Sequence, residues 1–354
     1  MEDIMKTYVI SKTSVPEKMK VYGLLPDLTR MPRDAAKAVS PAVEDLSLCP
    51  SGGRVRFMTD SPFISIRVNF ISGGFNNGCD VVCDGVYRGK IAGVEEDLTI
   101  SGVITLAPEG ISAAGVRCMR LVTVFFPRTA PVDSIEISLS EDSSIDEAPS
   151  YAIEKPIVFY GSSITMGASS KSPSLAYTAR VAERLGADHI NLGFGGNAKG
   201  ERAMAEYIAG LEMSAFVMDY EHNADTLDYL RETHKPFFDI IRAAQPELPI
   251  LIVSRPDTDR EFLRSCYGRR IVMDTFHAAL DAGDRLVDYV DGFYLFGNCD
   301  RDKCVIEDNC HPNEHGFEMM ADTVAPRLKS LMERDPKLNT MGRDGADADF
   351  PTHI

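Results

Sequence analysis

IVFYGSSITMG, residues 157–167, carries a short apolar run of β-branched and aromatic side chains straight into a glycine and two serines. A run of this length bounded by turn signals reads as a buried strand. A serine just past such a strand has two ordinary uses. It can cap the helix that follows by accepting a backbone N–H. It can instead act as a nucleophile, and the chain must then also supply a base, a group that orients the base, and donors for a developing oxyanion. The rest of the sequence decides between the two.

Downstream, strand-like and helix-like segments alternate: IVFY, SLAYTARVAERLG, HINLGF, GERAMAEYIAGL, AFVMDY, LDYLRETHKPFFDIIRAAQ, PILIVS, a helical stretch from about 261 to 281, VDGFYLF and GFEMMADTVAPRLKSLMER. Such alternation predicts a parallel sheet covered by helices and wound by right-handed crossovers. In the first helix Leu175, Ala179, Ala182 and Leu185 recur at helical spacing, and Gly186 stands where a left-handed residue ends it. Reactive groups in such sheets gather where strands end and helices begin.

Upstream the rhythm is different. Residues 50–140 read as short strands, among them RVRFM, FISIRVNF, DVVCDGVYRGKI, LTISGVITL, MRLVTVFF and SIEISLS, separated by clusters such as SGGFNNG and APEG. In FISIRVNF, Ile64, Ile66, Val68 and Phe70 alternate with Phe63, Ser65, Arg67 and Asn69, the period of a strand with one buried face. A β-sandwich over 1–150 is expected, then an α/β domain over 151–335 and a flexible tail over 336–354, with the acidic, serine-rich SEDSSIDEAPS at 140–150 as linker.

Two domains also suit 354 residues, of which 44% are hydrophobic and 25% charged. A formal net charge of −16 disfavours nucleic acid and anionic membrane surfaces as partners. The first residues, MEDIMKTYVISKTSVPEK, lack an apolar signal region, and no apolar run approaches a membrane span, so a cytoplasmic location is expected. The eight cysteines are expected to be reduced thiols. Cys299, Cys304, Cys310 and His311 lack the paired spacing of a zinc site, so no metal and no cofactor is expected. The glycines of GFGGNAKG do not make a phosphate loop, because Lys199 lacks the required spacing and following Ser or Thr.

The base for a nucleophilic serine appears in EDNCHPNEHGF. Asp308 lies three residues before His311 in a loop leading to the last helix, close enough to hold the imidazole in the tautomer a general base requires. Among the seven histidines only His311 combines an aspartate neighbour with a strand-to-helix loop.

At this point four blocks, in order, resemble the SGNH hydrolases, the GDSL-like esterase family: YGSSIT with Ser163, NLGFGGN with Gly196, MDYEHNAD with Asn223, and DNCH with Asp308 and His311. The resemblance covers about residues 155–333. It implies a flavodoxin-like three-layer domain with Ser163 as nucleophile, His311 as base, Asp308 as its orienting partner, and the N–H groups of Ser163 and Gly196 with the Asn223 amide as oxyanion donors. Two positions depart from the family pattern. Ser162 stands where an aspartate is usual, and the Asn223 block lacks the usual GxND text; Asn197 is an alternative donor. An α/β-hydrolase fits less well, because its elbow is G-x-S-x-G and Thr165 occupies the last glycine position.

The whole chain also resembles SGNH carbohydrate acetyl esterases in which a jelly-roll sandwich like a carbohydrate-binding module precedes the hydrolase domain. That likeness implies an acetylated oligosaccharide substrate, derived from mannan or xylan. No aromatic-rich flap is expected near Ser163, which favours a small acyl group over long-chain lipid. The chain has no Trp for a sugar platform; Tyr87, Phe75 and Tyr267 are the substitutes, and a homodimer contact is the alternative role for the sandwich. Acyl transfer by the same triad and catalytically silent sugar binding remain as alternative functions.

Overall fold

The computed structural model describes residues 5–73, 78–94, 97–106, 117–297 and 301–334. Phe75, Cys299 and the expected tail lie outside the described residues.

The first half is a sandwich of two antiparallel sheets. Its strands are β1 (Met5–Ser11), β2 (Lys20–Tyr22), β3 (Arg54–Thr59), β4 (Phe63–Phe70), β5 (Cys79–Cys83), β6 (Val86–Ile91), β7 (Thr99–Thr105), β8 (Arg120–Phe125), β9 (Val132–Ser140) and β10 (Ile145–Asp146). One sheet runs β1-β9-β4-β7 and the other β10-β3-β8-β5-β6, with β2 paired to β3. The alternation in β4 is realised: Ile64, Ile66, Val68 and Phe70 face Val55, Phe57, Val81, Val122 and Val124 in one core. The stretch read as a linker is partly sheet, because Ile145 pairs with Thr59 and packs on that core.

The second half is a parallel sheet of β11 (Ile153–Gly161), β12 (Ala187–Gly193), β13 (Ala215–Asp219), β14 (Ile250–Val253) and β15 (Val287–Val290), in the order β12-β11-β13-β14-β15. Renumbered within the half this is 2-1-3-4-5, the flavodoxin-like winding, whose topological switch point lies between the first and third strands. The strands are apolar on both faces. Val158 and Tyr160 of β11 enter one layer with α5 (Arg202–Ala209), α6 (Leu227–Ala244) and α7 (Phe262–Asp281). Ile157 and Phe159 enter the other with α4 (Tyr177–Arg184) and α8 (Glu314–Met332). VDGFYLF is not a strand beyond Val290: Gly292 lies so close to the carbonyls of Ser254 and Arg255 that a Cβ would strike them, and Asp291 caps a 3₁₀ turn there. The apolar run therefore folds back as a turn.

Two short helices, α1 (Arg33–Val39) and α2 (Pro41–Ser47), fall within 1–150 but pack on the second half, where Met31, Ala36 and Val43 join the core beneath α5. Further contacts seal the halves together. β12 is a sheet edge, and its open carbonyls are met by arginines from the first half: Arg30 donates to Asn191 O and Gly193 O, and Arg54 to His189 O while pairing with Asp188. An edge strand is thereby covered rather than left to pair with another chain.

Candidate active site

The strand-to-helix exit at residue 161 fixes where the serines sit. A Cβ on Gly161 would strike Thr165 and the Asp219 carbonyl, so only glycine allows the chain to turn this close to β13. The chain then enters the short helix α3 (Ser163–Met166). Ser162, buried, is its N-cap and accepts from Ile164 N–H at 3.1 Å. Ser163 is left free of that task, and its Oγ lies 2.7 Å from His311 Nε2.

His311 reaches Ser163 from a tight loop between residues 304 and 313. The loop is closed by a bridge between Val305 and Pro312 and by Ile306 N–H donating to His311 O at 2.9 Å, with Asn309 in the left-handed region. Within it His311 Nδ1 lies 2.5 Å from Asp308 Oδ2, while Asp308 Oδ1 accepts from the N–H groups of Cys310 and His311, each at 2.9 Å. Burial works against the Asp308 carboxylate, but the His311 imidazole and these N–H donors hold it below its ordinary range. Asn313 caps α8 through Gly316 N–H and donates to Lys303 O and Val305 O, so the loop's exit is fixed as well.

Two distant segments, the exit of β11 and the loop before α8, thus bring Ser163, His311 and Asp308 into one hydrogen-bonded line. Neither the backbone N–H of Ser163 nor that of Gly196 has a hydrogen-bond partner among the described residues. Gly196 is left-handed, with φ 72°, and its neighbour Gly195 lies against Ser163 Cβ. Asn223 ends a 3₁₀ turn (Glu221–Asn223) just after β13, the strand beside β11, and its buried Oδ1 accepts no hydrogen bond. Asn197 differs: its amide donates to Gly195 O at 2.8 Å, so it serves the turn.

Several residues that shape the site gave no signal in the sequence. Buried Asp219 accepts from Thr165 Oγ1 at 2.9 Å and Tyr177 OH at 2.7 Å, tying α3 and α4 to β13; burial pushes its carboxyl up to about 7. Glu221, also pushed up to about 7 by burial, accepts from Arg255 N–H at 2.9 Å. The sandwich braces the loop after α3. Arg128 donates to Ser170 O at 2.5 Å and Ser172 O at 3.1 Å, Tyr87 OH lies 3.0 Å from Ser172 Oγ, and Asp80 is bonded by Ser174 Oγ. That loop in turn holds the His311 segment, since Ser169 Oγ donates to Pro312 O at 2.6 Å. The carboxyl side of the sheet also carries exposed Phe262, Leu263, Tyr267 and Tyr294, of which the sequence reading singled out only Tyr267.

His222, Asp257 and Cys310 bring metal-ligand types within 4.8 Å of one another. Both Asp257 oxygens, however, are taken by Arg255, at 2.9 and 2.7 Å, and Arg260 is hydrogen-bonded to Cys310. Two guanidinium groups make this a poor setting for a cation.

Residues 154–329 match the sequence profile of the GDSL-like lipase/acylhydrolase family. A comparison with curated proteins finds no match. Among solved structures, a Bacteroides ovatus protein assigned as a GDSL-like lipase superposes with a TM-score of 0.78 at 20% identity, covering 93% of this chain and 98% of that one. A salicylyl-acyltransferase from a tetracycline biosynthetic pathway gives 0.72 at 21%, covering 92% and 97%. An acetyl xylan esterase of the rumen bacterium Butyrivibrio proteoclasticus gives 0.58 at 13%, covering 92% and 98%. At these identities the structures establish that the sandwich and the parallel-sheet half occur together as one layout. Residues 154–329 form a GDSL-like lipase/acylhydrolase domain, and the chain is a carboxylic ester hydrolase.

Proposed function

We propose that the chain is a serine esterase that removes O-acetyl groups from hemicellulose-derived oligosaccharides, acetylated mannan or xylan, through an acyl-enzyme on Ser163. The observation that carries this reading is the continuous line from Ser163 Oγ through His311 to Asp308.

In this reading Ser163 Oγ attacks the ester carbon as its proton passes to His311 Nε2. The imidazolium is stabilised by Asp308, and the oxyanion is met by the N–H groups of Ser163 and Gly196 and by the Asn223 amide. His311 then returns the proton to the departing sugar oxygen, leaving acetyl on Ser163. Water attacks next, with His311 again as base, and acetate leaves. The acetyl xylan esterase and carbohydrate esterase likenesses support the sugar ester as substrate.

Acyl transfer is a second reading, favoured by the greater structural likeness to the salicylyl-acyltransferase. There a hydroxyl replaces water at the acyl-enzyme. The test is acetate release from acetylated manno- and xylo-oligosaccharides by wild type and Ser163→Ala, with and without a competing alcohol. Release by wild type alone supports the esterase, equal release by both rejects it, and an acylated alcohol as main product favours transfer.

A further inference from the structure

His222 and Cys310 are each one step in the chain before a residue of the site, Asn223 and His311 respectively. They come from segments 88 residues apart, and their side chains meet, with Cys310 Sγ 3.2 Å from His222 Nε2. The far side of the imidazole faces Asp257, whose Oδ1 lies 3.2 Å from His222 Nδ1 at an ion-pair distance. Asp257 is itself clamped by the buried Arg255 side chain through both oxygens. Arginine, aspartate, imidazole and thiol therefore form a second line, which ends on the loop that carries His311.

The protonation states along this line follow from its surroundings. Burial opposes a charged Asp257, but His222 and Arg255 overcome it and hold the carboxylate well below its usual range. Burial and the nearby Asp257 charge push the Cys310 thiol up to about 12, so near neutrality it keeps its proton. The thiol then donates to His222 Nε2, while His222 Nδ1 faces the carboxylate across 3.2 Å. A thiol held in this state is a poor nucleophile but a fixed donor.

We propose that Cys310 and His222 are positioning residues. Their contact sets the separation between the Asn223 amide and the His311 imidazole, so that oxyanion donor and base close on the same ester carbonyl. The inference rests on the triad reading given above. It follows from the build of the two arms: one is a single 3₁₀ turn after β13, the other a loop turned through a left-handed asparagine. Neither arm is a long regular element, and a side-chain tie between them replaces the rigidity a helix would give. Misplacement by about 1 Å in such a site costs up to roughly 10²-fold in rate.

The test uses the full chain and an aryl acetate, with phosphonylation of Ser163 by a fluorophosphonate as a second readout. Cys310→Ala is expected to lower kcat about 10-fold with KM within about twofold, and Cys310→Ser, which keeps a donor, to recover most of the loss. In an Asn223→Ala background the added cost of Cys310→Ala should shrink below about threefold, because the donor it positions is gone. His222→Gln repeats the measurement should Cys310→Ala not fold. Unchanged kcat in the Cys310 and His222 variants, or the same cost with and without Asn223, overturns the tie while leaving the esterase standing. A wild-type protein that neither turns over ester nor labels at Ser163 overturns the triad reading, and the tie with it.

Discussion

Ser162 and Ser163 are adjacent in the chain yet divide the two uses open to a serine at a strand end: the Ser162 hydroxyl caps α3 at 3.1 Å from Ile164 N–H, and the Ser163 hydroxyl meets His311 Nε2 at 2.7 Å. At position 162 a serine cap satisfies the same orphan donor that an aspartate cap would. Ser162→Ala is expected to cost about 1 kcal/mol of stability and to retain most turnover. Ser163→Ala should abolish turnover while leaving stability within about 0.5 kcal/mol. Denaturant unfolding and ester hydrolysis on both variants check this, and a reversal of the two effects would exchange the assigned roles.

Asp308 holds His311 through Nδ1 but is partly exposed, with 40% of its side chain open to solvent. In the proposed mechanism Asp308 orients the base but takes no proton itself, so Asp308→Asn is expected to reduce kcat by about 10²–10⁴, less than His311→Ala does. Steady-state rates on the two variants decide it. An Asp308→Asn enzyme as active as wild type would mean the backbone of the loop suffices to orient the ring.

Buried carboxyls set the pH dependence of stability. Asp80, Asp219 and Glu221 are each pushed up to about 7 by burial, whereas in the unfolded chain they titrate near 4. The folded state thus holds protons that the unfolded chain releases, so the stability these groups lend is complete below about pH 4 and is lost as pH rises through about 7. Melting temperature should therefore fall between pH 5 and pH 8, and Asp80→Asn, which cannot ionise, should flatten the fall. Asp257 acts oppositely, its contribution disappearing only as acid protonates it below about pH 4. A melting temperature that rises from pH 5 to pH 8 would contradict the buried, protonated state of the three groups.

The sandwich is expected to act on the site through the brace it builds. Arg128 is fully enclosed, burial lowers it to about 10 with Asp80 opposing, and it holds the loop that bonds Pro312. Arg128→Ala leaves the carbonyls of Ser170 and Ser172 without their donor and should destabilise by about 1–3 kcal/mol. Below its melting temperature the variant should also lose turnover, since Ser169 would no longer steady the His311 segment. Measuring both on one preparation separates a purely stabilising brace from one that also positions the base.

What the sequence revealed and what it hid have physical causes. Asp308 and His311 were legible because three residues of a loop suffice to bring carboxylate and imidazole together, and β4 because its alternation reports one buried face. Helices α1 and α2 were missed, being too short to show a period, although Ser40 followed by Pro41 is the cap and first residue of α2. VDGFYLF misled because apolar content alone does not distinguish a strand from a packed turn. The His222–Cys310 contact and the Arg128 brace were invisible for another reason: each joins segments distant in the chain through side chains whose meeting depends on the assembled sheet.

The central claim is that His311 activates Ser163. It is tested most directly by treating the protein with a fluorophosphonate, locating the adduct by peptide mass spectrometry, and comparing the labelling rate with that of His311→Ala. The account predicts one adduct, on Ser163, forming at least about 10³-fold more slowly in the variant. An adduct on another residue, or a rate indifferent to His311, would contradict it.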